Sequence, residues 1–166
     1  MNVTKPDTHN GPQEKPKLRD LFSFVAGGRT FAVLAEEVEG TADAKYVAVL
    51  PHAPPAVVGV LCLRGRMLTT LDPIALLTGK RLDWPPVIPS VVALRGDEQL
   101  ALAAESFGGT ITIAGTDIEA PAEDGDRNHP AIIGISRHGG QEISILGVGH
   151  LFAAAFQRKE RRRRRY

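Results

Sequence analysis

The chain contains an internal repeat, which restricts its possible folds more than any other sequence feature. Residues 23–38 align without a gap on residues 92–107, at an offset of 69. Residues 57–60 (Val-Val-Gly-Val) align on residues 132–135 (Ile-Ile-Gly-Ile), at an offset of 75. Two matched segments in the same order and at nearly equal offsets indicate a duplicated structural unit.

The second match continues beyond the shared glycine-containing strand. It pairs Gly59 with Gly134 and Gly65 with Gly140. The six-residue difference between the offsets predicts a loop insertion around residues 119–130, which hold two prolines and four acidic residues. Short β-type runs separated by glycines align easily in any all-β protein, but the paired apolar-apolar-Gly-apolar segments argue against a chance match.

Glycine-containing turns predict hairpins in the repeated unit. Residues 21–34 form two β-type runs around Gly27 and Gly28, which tolerate the positive φ angles of a tight turn. Residues 57–71 form two more runs around the turn Arg64-Gly65-Arg66. Each half therefore contains about five short strands, which predicts an all-β fold of two small antiparallel barrels.

The predicted barrels occupy residues of about 21–77 and 90–152, with order beginning near Leu21. Residues 73–77 predict one short helical turn that ends at Gly79. Residues 149–159 have the composition of a helix. The apolar stripe of this helix consists of Leu151, Phe152 and Phe156.

The composition favours a cytoplasmic protein. No uncharged apolar stretch approaches 18 residues, the length that a transmembrane helix needs. Residues 1–19 are polar and proline-rich, which predicts a disordered arm. They lack the apolar centre of a secretory signal. Cys62 is the single cysteine and has no partner for an internal disulfide.

The last ten residues, 157–166, carry an excess of positive charge. Their seven basic residues are Arg158, Lys159, Arg161, Arg162, Arg163, Arg164 and Arg165. With Glu160 they give this tail a charge of +6, which leaves −5 for the remainder of a chain whose net charge is +1. Such a run is typical of a solvated, poorly ordered tail, and contact with an anionic protein, phospholipid or nucleic acid is the alternative.

The sequence supports no enzyme class, cofactor or metal site. Cys62 lies in an apolar strand without a local catalytic signature, which favours an inert core thiol. Asp72, directly before Pro73, is interpreted as a cap or turn carboxylate rather than a general base. Four histidines show no metal-ligand spacing: His52, His129, His138 and His150.

The residues also resemble the CheW-like domain of bacterial chemosensory coupling proteins. The densest match is 51–72, which is similar to the family's proline-flanked turn, glycine-containing strand, Leu-Arg-Gly turn and apolar strand ending in aspartate. The resemblance covers residues of about 21–156. It implies two five-stranded, SH3-like barrels packed around a shared apolar core, within a domain at 20–156.

The resemblance also implies a function. Family members are non-catalytic adaptors that join the cytoplasmic tips of methyl-accepting chemoreceptors to a CheA-type histidine kinase. The kinase's regulatory domain carries the same fold and binds edge to edge, whereas the receptor tip docks between the barrels. Other CheW-like domains are further candidate partners, no specific nucleic acid is expected, and the implied location is the cytoplasm beside membrane-bound receptor arrays.

Five residues are candidates for contact with partners. Arg64, Gly65 and Arg66 match the family's Leu-Arg-Gly turn, where a guanidinium can donate several hydrogen bonds. Val38 resembles a receptor-contact position, and Glu39 is its exposed neighbour. For Arg64 the structural alternative is a turn residue that bonds within its own barrel, and for Val38 it is a core position.

The chain departs from the family pattern at several positions. The asparagine expected before Leu63 is missing, Thr69 stands where proline is common, and Gly40 stands where an acid is usual. These departures indicate a divergent member. The alternative function is a nucleic-acid-binding small-barrel protein that uses the arginine tail, although only 5% of residues are aromatic and the remainder of the chain is net acidic.

Overall fold

A computed structural model describes residues 15–121, 123 and 125–156. Over these ranges the chain forms ten strands and two α-helices. The strands are β1 (Leu18–Ala26), β2 (Arg29–Leu34), β3 (Val38–Tyr46), β4 (Val57–Leu63), β5 (Arg66–Leu71), β6 (Val87–Leu94), β7 (Leu100–Ala104), β8 (Ser106–Ala114), β9 (Ile132–His138) and β10 (Gln141–Leu146). The helices are α1 (Pro73–Thr78) and α2 (Val148–Phe156).

The strands form two five-stranded sheets, and each sheet closes into a barrel. The first barrel has the order β8-β1-β2-β10-β9, and the second has the order β3-β6-β7-β5-β4. A bridge between Glu119 and Ile135 closes the first barrel, and a bridge between Ala48 and Val60 closes the second. The predicted all-β class with two SH3-like barrels is confirmed.

The two barrels repeat the same pairing scheme. Replacing each strand by its counterpart in the other half of the sequence converts one strand order into the other. The parallel pairs agree in register as well: Phe31 lies opposite Ser144, and Leu100 lies opposite Thr69. These residues are related by the offsets of 69 and 75, so the repeat in the sequence is a repeat in the fold.

The prediction that residues 21–77 and 90–152 each form a barrel is wrong. The first barrel combines the β1–β2 hairpin with β8, β9 and β10, and the second combines β3, β4 and β5 with the β6–β7 hairpin. The two halves therefore exchange hairpins. A sequence repeat identifies equivalent strands but does not indicate which copy a strand pairs with, since both copies present the same pattern.

The gapless alignment of 23–38 on 92–107 is also wrong by one residue in its first strand. Phe24 pairs with Phe107, and Leu94 pairs with Val38. Because Phe107 is the counterpart of Val38, the counterpart of Phe24 is Leu94 rather than Ala93. Six residues accordingly separate Phe24 from Phe31 in the first hairpin, whereas five separate Leu94 from Leu100 in the second.

The buried side chains form three clusters. One cluster fills the first barrel around Leu21 and Ile145, and another fills the second barrel around Leu61 and Ile88. The largest cluster draws residues from both sheets and both helices, including Phe24 and Phe31 from the first sheet. Its other large members include Leu71, Leu76, Leu94, Leu102, Leu146 and Leu151. This central cluster is the shared core that the resemblance implied.

The first strand begins earlier than the sequence predicted. Strand β1 starts at Leu18, which pairs with Ala114, and the carbonyl of Lys17 accepts a hydrogen bond from the amide of Gly115 at 2.7 Å. Residues 1–14 and the basic tail, 157–166, lie outside the described residues, so the predicted arm and tail stay predictions. No helix within the described ranges is both long and apolar enough to cross a membrane.

The short helix α1 follows the sequence prediction. Asp72 is its N-cap, and its Oδ1 accepts hydrogen bonds from the amides of Ile74 (2.9 Å) and Ala75 (3.3 Å). Gly79 ends the helix at a φ of 75°, a left-handed conformation that favours glycine. The interpretation of Asp72 as a capping carboxylate is confirmed.

Candidate partner-binding site

The five candidate contact residues converge at one place on the second barrel. Strands β3 and β4 are the two edges of its sheet, and they meet where the barrel closes. Val38 and Glu39 begin β3, the Arg64-Gly65 turn joins β4 to β5, and Arg66 begins β5. We call these five residues the seam site.

The turn between β4 and β5 determines where Arg64 lies. Leu63 pairs with Arg66, which leaves Arg64 and Gly65 as a two-residue loop. Both residues have positive φ, 50° for Arg64 and 77° for Gly65, as in the primed turns that match the twist of a hairpin. Positive φ is uncommon for arginine, so the hairpin maintains Arg64 at the exposed tip against its ordinary backbone preference.

The guanidinium of Arg64 lies over Gly40 of β3. A Cβ atom on Gly40 would lie 3.4 Å from Nη1 of Arg64, so the missing side chain provides the space that the guanidinium occupies. Within the described part of the chain, the side chain of Arg64 forms no hydrogen bond or ion pair. Its donors are therefore available to a partner.

Arg66 behaves differently from Arg64. It forms a hydrogen-bonded ion pair with Glu39 across the seam, and both side chains are about one-third exposed, at 37% and 35%. An ion pair at this exposure contributes at most about 1 kcal/mol to stability. Arg66 and Glu39 therefore tie the hairpin to β3, and their charges largely compensate each other.

Val38 lies partly in the core and partly at the surface, and its contact with a receptor stays a prediction. It is half-buried, pairs with Leu94 and packs against the central cluster, so one face belongs to the core.

The residue before Val38, Glu37, has a buried Oε2 atom without a hydrogen-bond partner among the described residues. Burial, and secondarily the charge of Glu36, raises the pKa of the Glu37 carboxyl above its ordinary value.

The prediction of Cys62 as a core thiol is wrong. Cys62 is exposed on β4 and pairs across the hairpin with Met67, whose side chain is 57% exposed. This exposed apolar pair beside Arg64 does not follow from the sequence interpretation of Cys62. The repeat contained the signal, because the counterparts of Cys62 and Met67 are the charged, solvent-facing Arg137 and Glu142.

The seam of the first barrel lacks the charges of the seam site. The repeat places Gly108 at the counterpart of Glu39, Gly139 at that of Arg64 and Gln141 at that of Arg66. The closing strands of that barrel therefore present neither the ion pair nor the arginine. Of the two equivalent turns at these seams, the one in the second barrel carries an arginine, and the one in the first barrel carries a glycine at the same position.

A groove of about 560 Å³ lies away from the seam, between α1, the 52–56 loop and the end of α2. His52 and His129 lie on its wall together with Phe156. The described residues contain no group of three His, Cys, Asp or Glu side chains that could hold a metal ion.

Comparison with known proteins places this arrangement in a family. The sequence model of the CheW-like domain family matches residues 20–156 of this chain. Protein FrzA of Myxococcus xanthus is 26% identical over 155 residues, covering 92% of this chain and 96% of that protein. The crystal structure of the scaffolding protein TtCheW from Thermoanaerobacter tengcongensis matches with a TM-score of 0.69 at 17% identity, covering 83% of this chain and 93% of that one. The chain belongs to the CheW-like domain family.

Proposed function

We propose that this protein is a non-catalytic adaptor that couples the cytoplasmic tip of a chemoreceptor to a CheA-type histidine kinase. The proposal places it in the cytoplasm beside receptor arrays, with other CheW-like domains as additional partners. Membership of the CheW-like family supports the class of function.

The availability of Arg64 is the observation that carries the proposal. It lies exposed at the tip of the β4–β5 hairpin, and the positive φ angles of the turn fix its backbone there. A planar guanidinium with several donors suits the carbonyls and carboxylates at the edge of a second barrel. We therefore assign Arg64 and Gly65 to the contact with the kinase.

Val38 supplies the other contact in the proposal. Its outward face lies at the start of β3, beside the exposed carboxylate of Glu39. A half-buried apolar residue next to a charged rim is typical of an interface anchor, because burial of its remaining surface favours binding. We assign Val38 to the helical tip of a receptor.

The test measures both contacts with purified components. The full chain is titrated by calorimetry with the regulatory domain of a CheA-type kinase, and separately with a receptor cytoplasmic fragment. We expect saturable binding to each and a ternary complex that sediments as one species. The variant Val38→Ser should weaken receptor binding and leave kinase binding unchanged.

Matched variants keep this result interpretable. Ile133→Ser changes another partly exposed apolar residue in the first barrel and should weaken neither partner. Failure of the parent chain to bind the kinase would overturn the coupling role, and failure to bind any receptor fragment from the same genome would overturn the receptor contact.

A further inference from the structure

A groove lies beside Trp84 in the second barrel. Strand β3 begins at the seam site and ends, at Tyr46, on this groove. The groove consists of two adjacent hollows of about 460 and 220 Å³, which share residues 82–85. The larger hollow is also lined by Tyr46, Val49 and Pro86. We call this surface the Trp84 groove.

The Trp84 groove exposes a cluster of large apolar side chains. Tyr46 is 69% exposed and Val49 is 70% exposed, the two highest values for large apolar side chains in the described part of the chain. Val87, which pairs with Tyr46 across β3 and β6, is also exposed. Single exposed apolar residues are normal on a protein surface, whereas a cluster of them indicates an interaction site.

The segment that both hollows share is held in place by the protein itself. The guanidinium of Arg81 donates three hydrogen bonds to backbone carbonyls within residues 54–57, at 2.8–3.2 Å. The amide of Leu82 donates to the carboxylate of Asp72, and Trp84 packs against both the central cluster and the cluster of the second barrel. A preformed surface of this kind loses little conformational entropy when a partner binds.

The charges of the Trp84 groove favour a basic partner. One basic side chain, Arg81, and two acidic side chains, Asp83 and Glu105, line the two hollows and give a net charge of −1. Arg81 is bound to the carbonyls described above, and Glu105 accepts a hydrogen bond from the amide of Gly27 at 2.6 Å. Asp83 is exposed and forms no side-chain hydrogen bond or ion pair within the described structure. Its carboxylate is therefore available to a cation of the partner.

The rings that line the groove favour a proline-rich partner. Tyr46, Trp84 and the prolines at 85 and 86 form flat apolar walls, against which the rings of further prolines can pack. Proline-rich segments adopt the polyproline II conformation before they bind, and they dock in aromatic-lined grooves at a low entropic cost. Two adjacent hollows suit the successive ring pairs of such a segment.

We infer that the Trp84 groove binds a proline-rich peptide of another protein in the polyproline II conformation. The peptide's prolines fill the two hollows, and a basic residue of the peptide lies beside Asp83. The binding requires neither a kinase nor a receptor tip, so it is independent of the proposed coupling role.

Tryptophan fluorescence tests the inference with the full chain. Trp84 is the only tryptophan of the sequence, so its emission reports on the groove directly. The probe is a short polyproline peptide with one central arginine. One comparison peptide has glutamate in place of the arginine, and the other has a glycine-serine repeat in place of the prolines. We expect a saturable change in emission with the arginine peptide, affinity about threefold weaker for the glutamate peptide, and no binding of the glycine-serine peptide.

Variants assign the two parts of the recognition, with calorimetry as the second measurement. Tyr46→Ser should weaken binding of the arginine peptide about tenfold, whereas Tyr46→Phe keeps the ring and should bind like the parent. Asp83→Asn should bind the arginine and glutamate peptides equally well, because it removes the charge that distinguishes them. Thermal melts of these variants should coincide with that of the parent, since Tyr46 and Asp83 are exposed.

The matched control is Phe152→Ser on α2. The sequence predicted Phe152 within an apolar stripe, but its side chain is 45% exposed and lies outside the groove. Its removal should leave peptide binding unchanged.

Three outcomes would overturn the inference. The first is the absence of any emission change or heat at about 1 mM peptide, and the second is equal binding by the parent and Tyr46→Ser. The third is a dimer of the parent in sedimentation that Tyr46→Ser abolishes, which would assign the groove to a second copy of this chain. Equal affinity of the parent for the arginine and glutamate peptides would overturn the contact with Asp83.

Discussion

Arg66 is ion-paired with Glu39 across the seam of the second barrel, whereas its neighbour Arg64, two residues earlier, has no such pairing in the described structure. Two arginines of one turn therefore have different roles. Arg66 connects the hairpin to β3, and Arg64 remains available for recognition. The difference arises because only Arg66 lies within the strand pairing.

Charge reversal should separate these two roles. Arg64→Glu should weaken kinase binding by about tenfold or more without changing the melting temperature, since glutamate has the same difficulty with positive φ as arginine. Arg66→Glu places two carboxylates together and should cost up to about 1 kcal/mol of stability. Calorimetry and thermal melts of both variants measure the two effects, and identical behaviour of the variants would contradict the assignment.

Gly59 should be indispensable for closure of the second barrel. A Cβ there would clash with the carbonyl oxygen of Ala48 and lie 2.6 Å from a methyl of Val47, so Gly59→Ala should cost about 2–3 kcal/mol. Its counterpart Gly134 meets chiefly the flexible side chain of Ile118 at 2.6 Å, so Gly134→Ala should cost less.

The matched control for these glycines lies on α2. A Cβ at Gly149 meets nothing within 4 Å, so Gly149→Ala should be neutral or stabilise the fold by up to about 1 kcal/mol. Urea denaturation of the three variants measures the ranking. Equal stability of Gly59→Ala and Gly149→Ala would show that the barrel closes differently.

Asp72 should stabilise the fold through both of its carboxylate oxygens. It is fully buried; Oδ1 caps α1, and Oδ2 accepts a hydrogen bond from the amide of Leu82 at 2.9 Å. Asp72→Asn keeps an oxygen to cap α1 but presents an amide donor to the backbone amide of Leu82. Asp72→Ala removes the acceptor of all three backbone amides, those of Ile74, Ala75 and Leu82. We expect a cost of about 1–2 kcal/mol for asparagine and about 2–4 kcal/mol for alanine, measured by urea denaturation.

Equal costs for the two Asp72 variants would indicate that the bond to Leu82 carries the whole effect. The matched position in the other repeat is Gly147, which has no side chain to cap α2. Changes at Gly147 therefore report packing rather than capping.

Glu37 should make stability depend on pH. The pKa of its carboxyl is raised in the folded state, so folding disfavours the charged form. The free-energy cost of ionising this carboxyl in the folded state is absent below its ordinary pKa of 4.5 and fully present above its raised pKa. The stability of the fold therefore decreases as the pH rises between these two pKa values. Glu37→Gln should therefore have a higher melting temperature than the parent at pH 7 to 8 and match it near pH 4.

The control for this measurement is the exposed neighbour Glu36, where Glu36→Gln should relieve only the smaller repulsive contribution. A melting difference between the parent and Glu37→Gln that does not change with pH would contradict the titration of Glu37.

Local features of the fold could be read from the sequence because their causes are local. The Gly27-Gly28 hairpin, the Arg64-Gly65 turn and the Asp72 cap each depend on a few adjacent residues. The repeat likewise determined that the two barrels share one pairing scheme. The resemblance to the family selected candidate residues that do lie together in space, and their role in binding stays a prediction.

The tertiary structure alone decided which copy each strand joins and which apolar residues face water. The exchange of hairpins between the barrels involves strands that both copies encode alike, so no local signal distinguishes the alternatives. Cys62 and Phe152 occupy apolar segments and are nevertheless exposed, because a strand or helix buries only the side that meets the core. The sequence by itself therefore determined the repeated unit and its turns, whereas long-range packing around the central cluster determined the partnership of strands and the surfaces that remain open to partners.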